Sequence, residues 1–120
     1  MFIAWTTLGT RAEAEKLAAE VVALRLAACV QVEGIISHYL WQGRPERTEE
    51  FRLCFKCLPD KLSDLRAHVL AHHPYEISEW LAVKAENVSE KYLSWAGSDS
   101  ISSAILFSSS SFSFSETAFK

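Results

Sequence analysis

The sequence predicts an α+β domain, a ferredoxin-like βαββαβ sandwich with a long hairpin and a short C-terminal helix. Three observations predict it. Two long strand-like stretches flank one tight turn in the first half of the chain. A stretch with apolar residues at helical spacing lies on each side of that hairpin, and a β-prone run lies beyond each of them. Hydrophobic residues make up 49% of the 120 residues, enough for one real core.

The elements follow in order. Residues 2–7, FIAWTT, are short, apolar and β-prone and stop at LGT, which reads as a buried strand. Thr10 can cap the next element, with Glu13 completing a capping box. Ala14, Leu17, Ala18, Val21 and Leu24 then recur at helical spacing, so residues 11–27 read as an amphipathic helix. Cys29, Val30, Val32, Ile35, Ile36, Tyr39 and Trp41 are strand formers, and Gly34 offers a bulge or bend among them. Gly43 and Pro45 mark a turn. Beyond it Phe51, Leu53, Phe55 and Cys57 alternate with Arg52, Cys54 and Lys56, the period of a strand. Pro59 and Asp60 open a second helix with Leu62, Leu65 and Val69 inward, and Pro74 stops it. Residues 76–85 read as the last strand and 87–96 as a short helix. The domain so built spans residues 1–97. Residues 98–120, serine with scattered phenylalanine, read as a low-complexity tail, disordered or loosely docked.

Composition excludes several function classes. A formal net charge of −3 argues against nucleic acid as a partner. No apolar run reaches the length of a membrane span. The N-terminus has no basic leader and does not read as a signal peptide. Three cysteines are an odd number, where a disulfide framework would use an even one. The expectation is a cytoplasmic protein with reduced thiols.

Cys54 and Cys57 have the spacing of half a metal knuckle. On a strand, however, an odd offset sends their sulfurs to opposite faces, and no second such pair follows. His68 and His72 are four apart, so on a helix they share a face and could chelate a metal, given a third ligand from elsewhere. The simpler reading is a solvated helix face. His72 and His73 leave the backbone in different directions, and in a last helical turn they also complement the helix dipole. Glu76 and Glu79 could assist acid–base chemistry beside His73, though surface carboxylates account for them as well. No GxSxG, HExxH, P-loop or dinucleotide fingerprint appears, so no catalytic residue is assigned and the chain does not read as an enzyme.

Taken together, RLAACVQVEGIISHYLWQG, EEFRLCFKCLPDKLSDL, HHPYEISEW and YLSW resemble the CutA family, the divalent-cation-tolerance proteins, over residues 2–96. The resemblance implies an interlocked homotrimer in which the hairpin strands and the C-terminal segment pair with neighbouring subunits. It implies a divalent metal, Cu(II) above all, held by His72 and His73. It also implies an inter-subunit cleft lined by Trp41, Lys56, Tyr75, Glu76, Glu79 and Trp95. The alternative it carries is a PII-like signalling or scaffold trimer that binds a small molecule or protein in that cleft. Three positions depart from the pattern. Ser78 replaces a proline, Cys57 a threonine, and Thr6 stands where copper-binding members have a cysteine at the end of the first strand. Loss of that soft ligand disfavours Cu(I) and leaves Cu(II) or Zn(II) on imidazole.

Overall fold

The computed structural model describes residues 1–98. The chain divides into two compact units, Met1–Asn87 and the part from Val88 onward. The expected tail at 98–120 lies, apart from Ser98, outside the described residues.

The first unit contains β1 (Phe2–Leu8), α1 (Arg11–Ala23), β2 (Cys29–Trp41), β3 (Arg44–Cys57), a 3₁₀ turn (Pro59–Lys61), α2 (Leu62–Ala71) and β4 (Leu81–Lys84). The sheet order is β2-β3-β1-β4, with every neighbouring pair antiparallel. This is the α+β, ferredoxin-like arrangement that the alternation of elements predicts. Alternate residues of β1 and β3 meet the helices. Ala4 and Leu8, with Leu53, Phe55 and Cys57, form one core with Ala14, Leu17 and Val21 of α1 and Leu65 and Val69 of α2. Phe55 is the largest fully buried side chain and tilts against Trp80, with ring centroids 6.2 Å apart.

Several boundaries differ from those expected. α1 ends at Ala23, short of Ala27. Arg25 takes the left-handed conformation, with φ 58°. Its N–H reaches the Val22 carbonyl, and the Leu26 N–H reaches that of Val21. This is a Schellman stop with arginine in the place usually held by glycine. Gly34 makes no bulge, because the β2–β3 register runs unbroken from Cys29↔Lys56 to Trp41↔Arg44. A Cβ there would meet the Phe51 ring at 3.6 Å, an ordinary van der Waals contact. The tight turn is Gln42–Gly43, both at positive φ (51° and 77°), the pattern of a type I′ hairpin. Pro45 lies within β3, opposite Leu40. It is tolerated there because β1 pairs with β3 only from Phe51 to Cys57, so Pro45 has one strand neighbour.

The last strand is only Leu81–Lys84. The residues before it are held by side chains rather than by a ladder. Thr6 Oγ1, fully buried, donates to the Glu79 carbonyl at 2.7 Å. His73 reaches the Thr7 carbonyl at 2.8 Å. In the second unit α3 (Glu90–Gly97) is capped by Ser89, which accepts the Tyr92 N–H. Tyr92 and Trp95 tilt against one another with centroids 5.5 Å apart. No helix among the described residues is long and apolar enough to cross a membrane.

Candidate metal centre and cleft residues

The adjacent histidines sit where α2 ends, and their rings part. His72 is the C-cap of α2. Its Nδ1 lies 2.8 Å from the His68 carbonyl. A carbonyl only accepts, so Nδ1 carries a proton, and in the neutral ring Nε2 keeps the lone pair. His73 has the opposite tautomer, with Nε2–H donating to the Thr7 carbonyl at 2.8 Å. Its Nδ1 then accepts the Tyr75 N–H at 3.2 Å. Both ring nitrogens of His73 are therefore engaged. The structure joins His73 to β1 and turns His72 toward the helix face.

On that face His72 stacks on His68, with ring centroids 4.1 Å apart and planes at 26°. His68 Nε2 in turn lies 3.0 Å from Oε1 of Glu20, in the last turns of α1. In the sequence Glu20 is one of several polar residues of α1. Nothing local marks it, because its partner arrives from another helix 48 residues on.

The cleft residues are spread over the fold. Trp41 closes the hairpin opposite Arg44 and is exposed. Lys56 stands near the other end of β3, and its Nζ donates to Gln31 Oε1 at 2.8 Å. The length of strand between Arg44 and Lys56 corresponds to roughly 40 Å, so one chain cannot fold Trp41 and Lys56 into the same pocket. Tyr75 meets the His73 ring edge-on with centroids 4.8 Å apart, and its hydroxyl lies over Gly9, 3.0 Å from where a Cβ would stand. Burial, then the carboxylates of Glu50 and Glu13 and the hydroxyl of Tyr39, push the Tyr75 phenol above its ordinary range. It is thus a neutral hydrogen-bonding group at physiological pH. Glu76 and Glu79 are exposed. Glu79 receives Thr6 through its backbone and leaves its carboxylate outward. Trp95 lies in α3 of the second unit.

The thiols stand apart from this site. Cys57 is fully buried in the core, while Cys54 projects from the opposite face of β3 and is half-buried. Burial raises both thiols above their ordinary range, against the nearby Lys56 ammonium in the case of Cys54 and the N-terminal ammonium in that of Cys57. Thiols held neutral make poor metal ligands.

A family model for the CutA1 divalent ion tolerance protein matches residues 2–99. The divalent-cation tolerance protein CutA of Yersinia pestis (strain Pestoides F) is 38% identical over 90 residues, covering 74% of this chain and 76% of that protein. Among solved structures, CutA from Synechococcus elongatus PCC7942 superposes with a TM-score of 0.77 at 35% identity, over 79% of this chain and 85% of its own. CutA1 from Pyrococcus horikoshii superposes at 0.76 with 27% identity, over 80% and 94%. With the sheet order, the hairpin and the HHPYE turn all in place, the chain belongs to the CutA1 family of divalent ion tolerance proteins.

Proposed function

We propose that this protein serves divalent-cation tolerance by binding a divalent metal ion itself, Cu(II) in the first place, as a cytoplasmic homotrimer and without enzymatic chemistry. The observation that carries the reading is His72. Its ring is fixed through Nδ1 by a backbone carbonyl, which leaves Nε2 as the nitrogen available to a metal. Metal-bound histidines are oriented in this way, with the second ring nitrogen donating to a carbonyl or carboxylate. Of the two expected ligands, His72 is thus ready. His73 would first have to release Thr7 or Tyr75, and we assign it the task of holding the turn.

The helix-free face of the sheet supports the homotrimer. Ile3 and Trp5 of β1 lie there, opposite Val83 and Leu81 of β4, both of which are exposed. The hairpin between the Gly34–Phe51 pair and its turn adds exposed Ile36, Tyr39, Leu40 and Trp41. Apolar surface of this kind marks a contact between proteins. A neighbouring subunit is also what would bring Trp41, Lys56, Tyr75, Glu76, Glu79 and Trp95 into one cleft. Three free thiols fit a reducing cytoplasm.

Calorimetric titration of Cu(II) and Zn(II) into the untagged full chain tests the metal reading. Saturation at one ion per chain supports it, and absence of heat and of bound metal after dialysis overturns it. Light scattering tests the assembly, with an expected mass three times that of the 13.5 kDa chain.

A further inference from the structure

The metal-binding reading above names one ligand, and the structure supplies two more. We propose that Glu20, His68 and His72 form a single three-ligand site for Zn(II) or Cu(II) between α1 and α2, without His73. The inference rests on that reading and makes it specific.

Each member offers one ligand atom, and these atoms all lie within 4.8 Å of one another. Glu20 Oε1 and His68 Nε2 are already 3.0 Å apart. Zn–N and Zn–O bonds of about 2.0–2.1 Å set neighbouring ligand atoms of a tetrahedron about 3.4 Å apart. Those two atoms therefore need to open by only a few tenths of an ångström, and the third to close by about 1.4 Å at most. In the metal-free protein a proton occupies the place between Glu20 and His68, because a carboxylate can only accept and the imidazole Nε2 must donate. Coordination through Nε2 requires the tautomer with its proton on Nδ1, so metal and proton compete for one lone pair. His72 is already in the required tautomer.

The donor set is chemically coherent. Two neutral imidazoles and one carboxylate suit Zn(II) or Cu(II) rather than Mg(II) or Ca(II), which take oxygen shells. Three protein ligands leave a coordination position open. A cavity of about 190 Å³ lies beside the site, with Glu20 and His72 on its wall, and gives water or a small anion access to that position. Glu13 and Lys16 on the same wall offset one another in charge. An ordinary helix–helix hydrogen bond accounts for Glu20 and His68 alone. It does not account for a ring nitrogen of His72 within 4.8 Å of both their ligand atoms.

The test uses the untagged full chain and Zn(II) under chelator competition. Wild type is expected to bind one ion per chain. Glu20→Gln and His68→Asn are each expected to weaken binding at least tenfold, while His38→Asn, on the hairpin, leaves it unchanged. Glu20→Gln keeps the shape and a hydrogen bond, so its loss of affinity cannot be charged to unfolding, and melting curves check this. Independently, the Cu(II) electron paramagnetic resonance spectrum of wild type is expected to show coupling to two imidazole nitrogens. Unchanged affinity in both Glu20→Gln and His68→Asn overturns the three-ligand site. If His72→Asn alone then abolishes binding, the broader metal reading survives. If wild type takes up neither Zn(II) nor Cu(II), both fall together.

Discussion

Thr6 and His73 tie one irregular stretch to β1 from two sides, through Glu79 and Thr7. Removing either bond exposes the same weakness, a buried polar group with no partner. Thr6→Val is expected to lower stability by about 1–3 kcal/mol, because the Glu79 carbonyl would be left without its donor; denaturant unfolding measures it. Cys57 makes a pH prediction. Burial raises its thiol in the folded chain. As pH climbs through the ordinary thiol range, the unfolded chain loses that proton first. The unfolded state then binds fewer protons than the folded one, so stability falls with rising pH. Denaturation midpoints at stepped alkaline pH are expected to drop for wild type and to drop less for Cys57→Ala. The histidine pair itself is plain in the sequence, but the direction of each ring is not. Each direction depends on a carbonyl, and that of Thr7 is 66 residues away. Glu20 was illegible for the same reason.

At the scale of elements, period-two alternation located β3 and its buried face correctly, since side chains on a strand must alternate. The end of α1 was not legible, because the stop is made by an arginine in the left-handed region and apolar residues continue past it. Arg25→Gly is therefore expected to raise stability by about 1 kcal/mol, since glycine adopts that conformation without a Cβ clash. A rise of several degrees in melting temperature would register it. The last strand is shorter than the expected 76–85. Among residues 76–80 only Ile77 and Trp80 are strand formers, and β1 pairs with β4 only at Leu81–Lys84. Which carbonyls are left to pair is a property of the sheet, and no single segment carries it.

The molecule as a whole was the most legible level. Alternating strands and helices with one tight hairpin admit few topologies, and the antiparallel order β2-β3-β1-β4 is the one they suggest. What the sequence leaves open is the far side of the sheet. Apolar residues on both faces of β1 look like a buried strand, whether a helix or another subunit covers the second face. Trp5→Glu places a charge on the helix-free face, opposite Leu81 and Cys54. In the proposed homotrimer it is expected to reduce the mass seen by light scattering to that of one chain while the helical circular dichroism signal remains. An unchanged mass would move the contact elsewhere.

The central place of β1 also governs the order of events during synthesis. Phe2–Leu8 leaves the ribosome well before its partners, residues 51–57 and 81–84. At roughly 5–20 residues per second, the strand waits several seconds before β3 can meet it. The hairpin, joined by its own two-residue turn, can close as a local unit as soon as β3 emerges. The nascent chain thus carries an apolar segment without a partner through much of translation. That interval, rather than the finished fold, is where a chaperone would have its work.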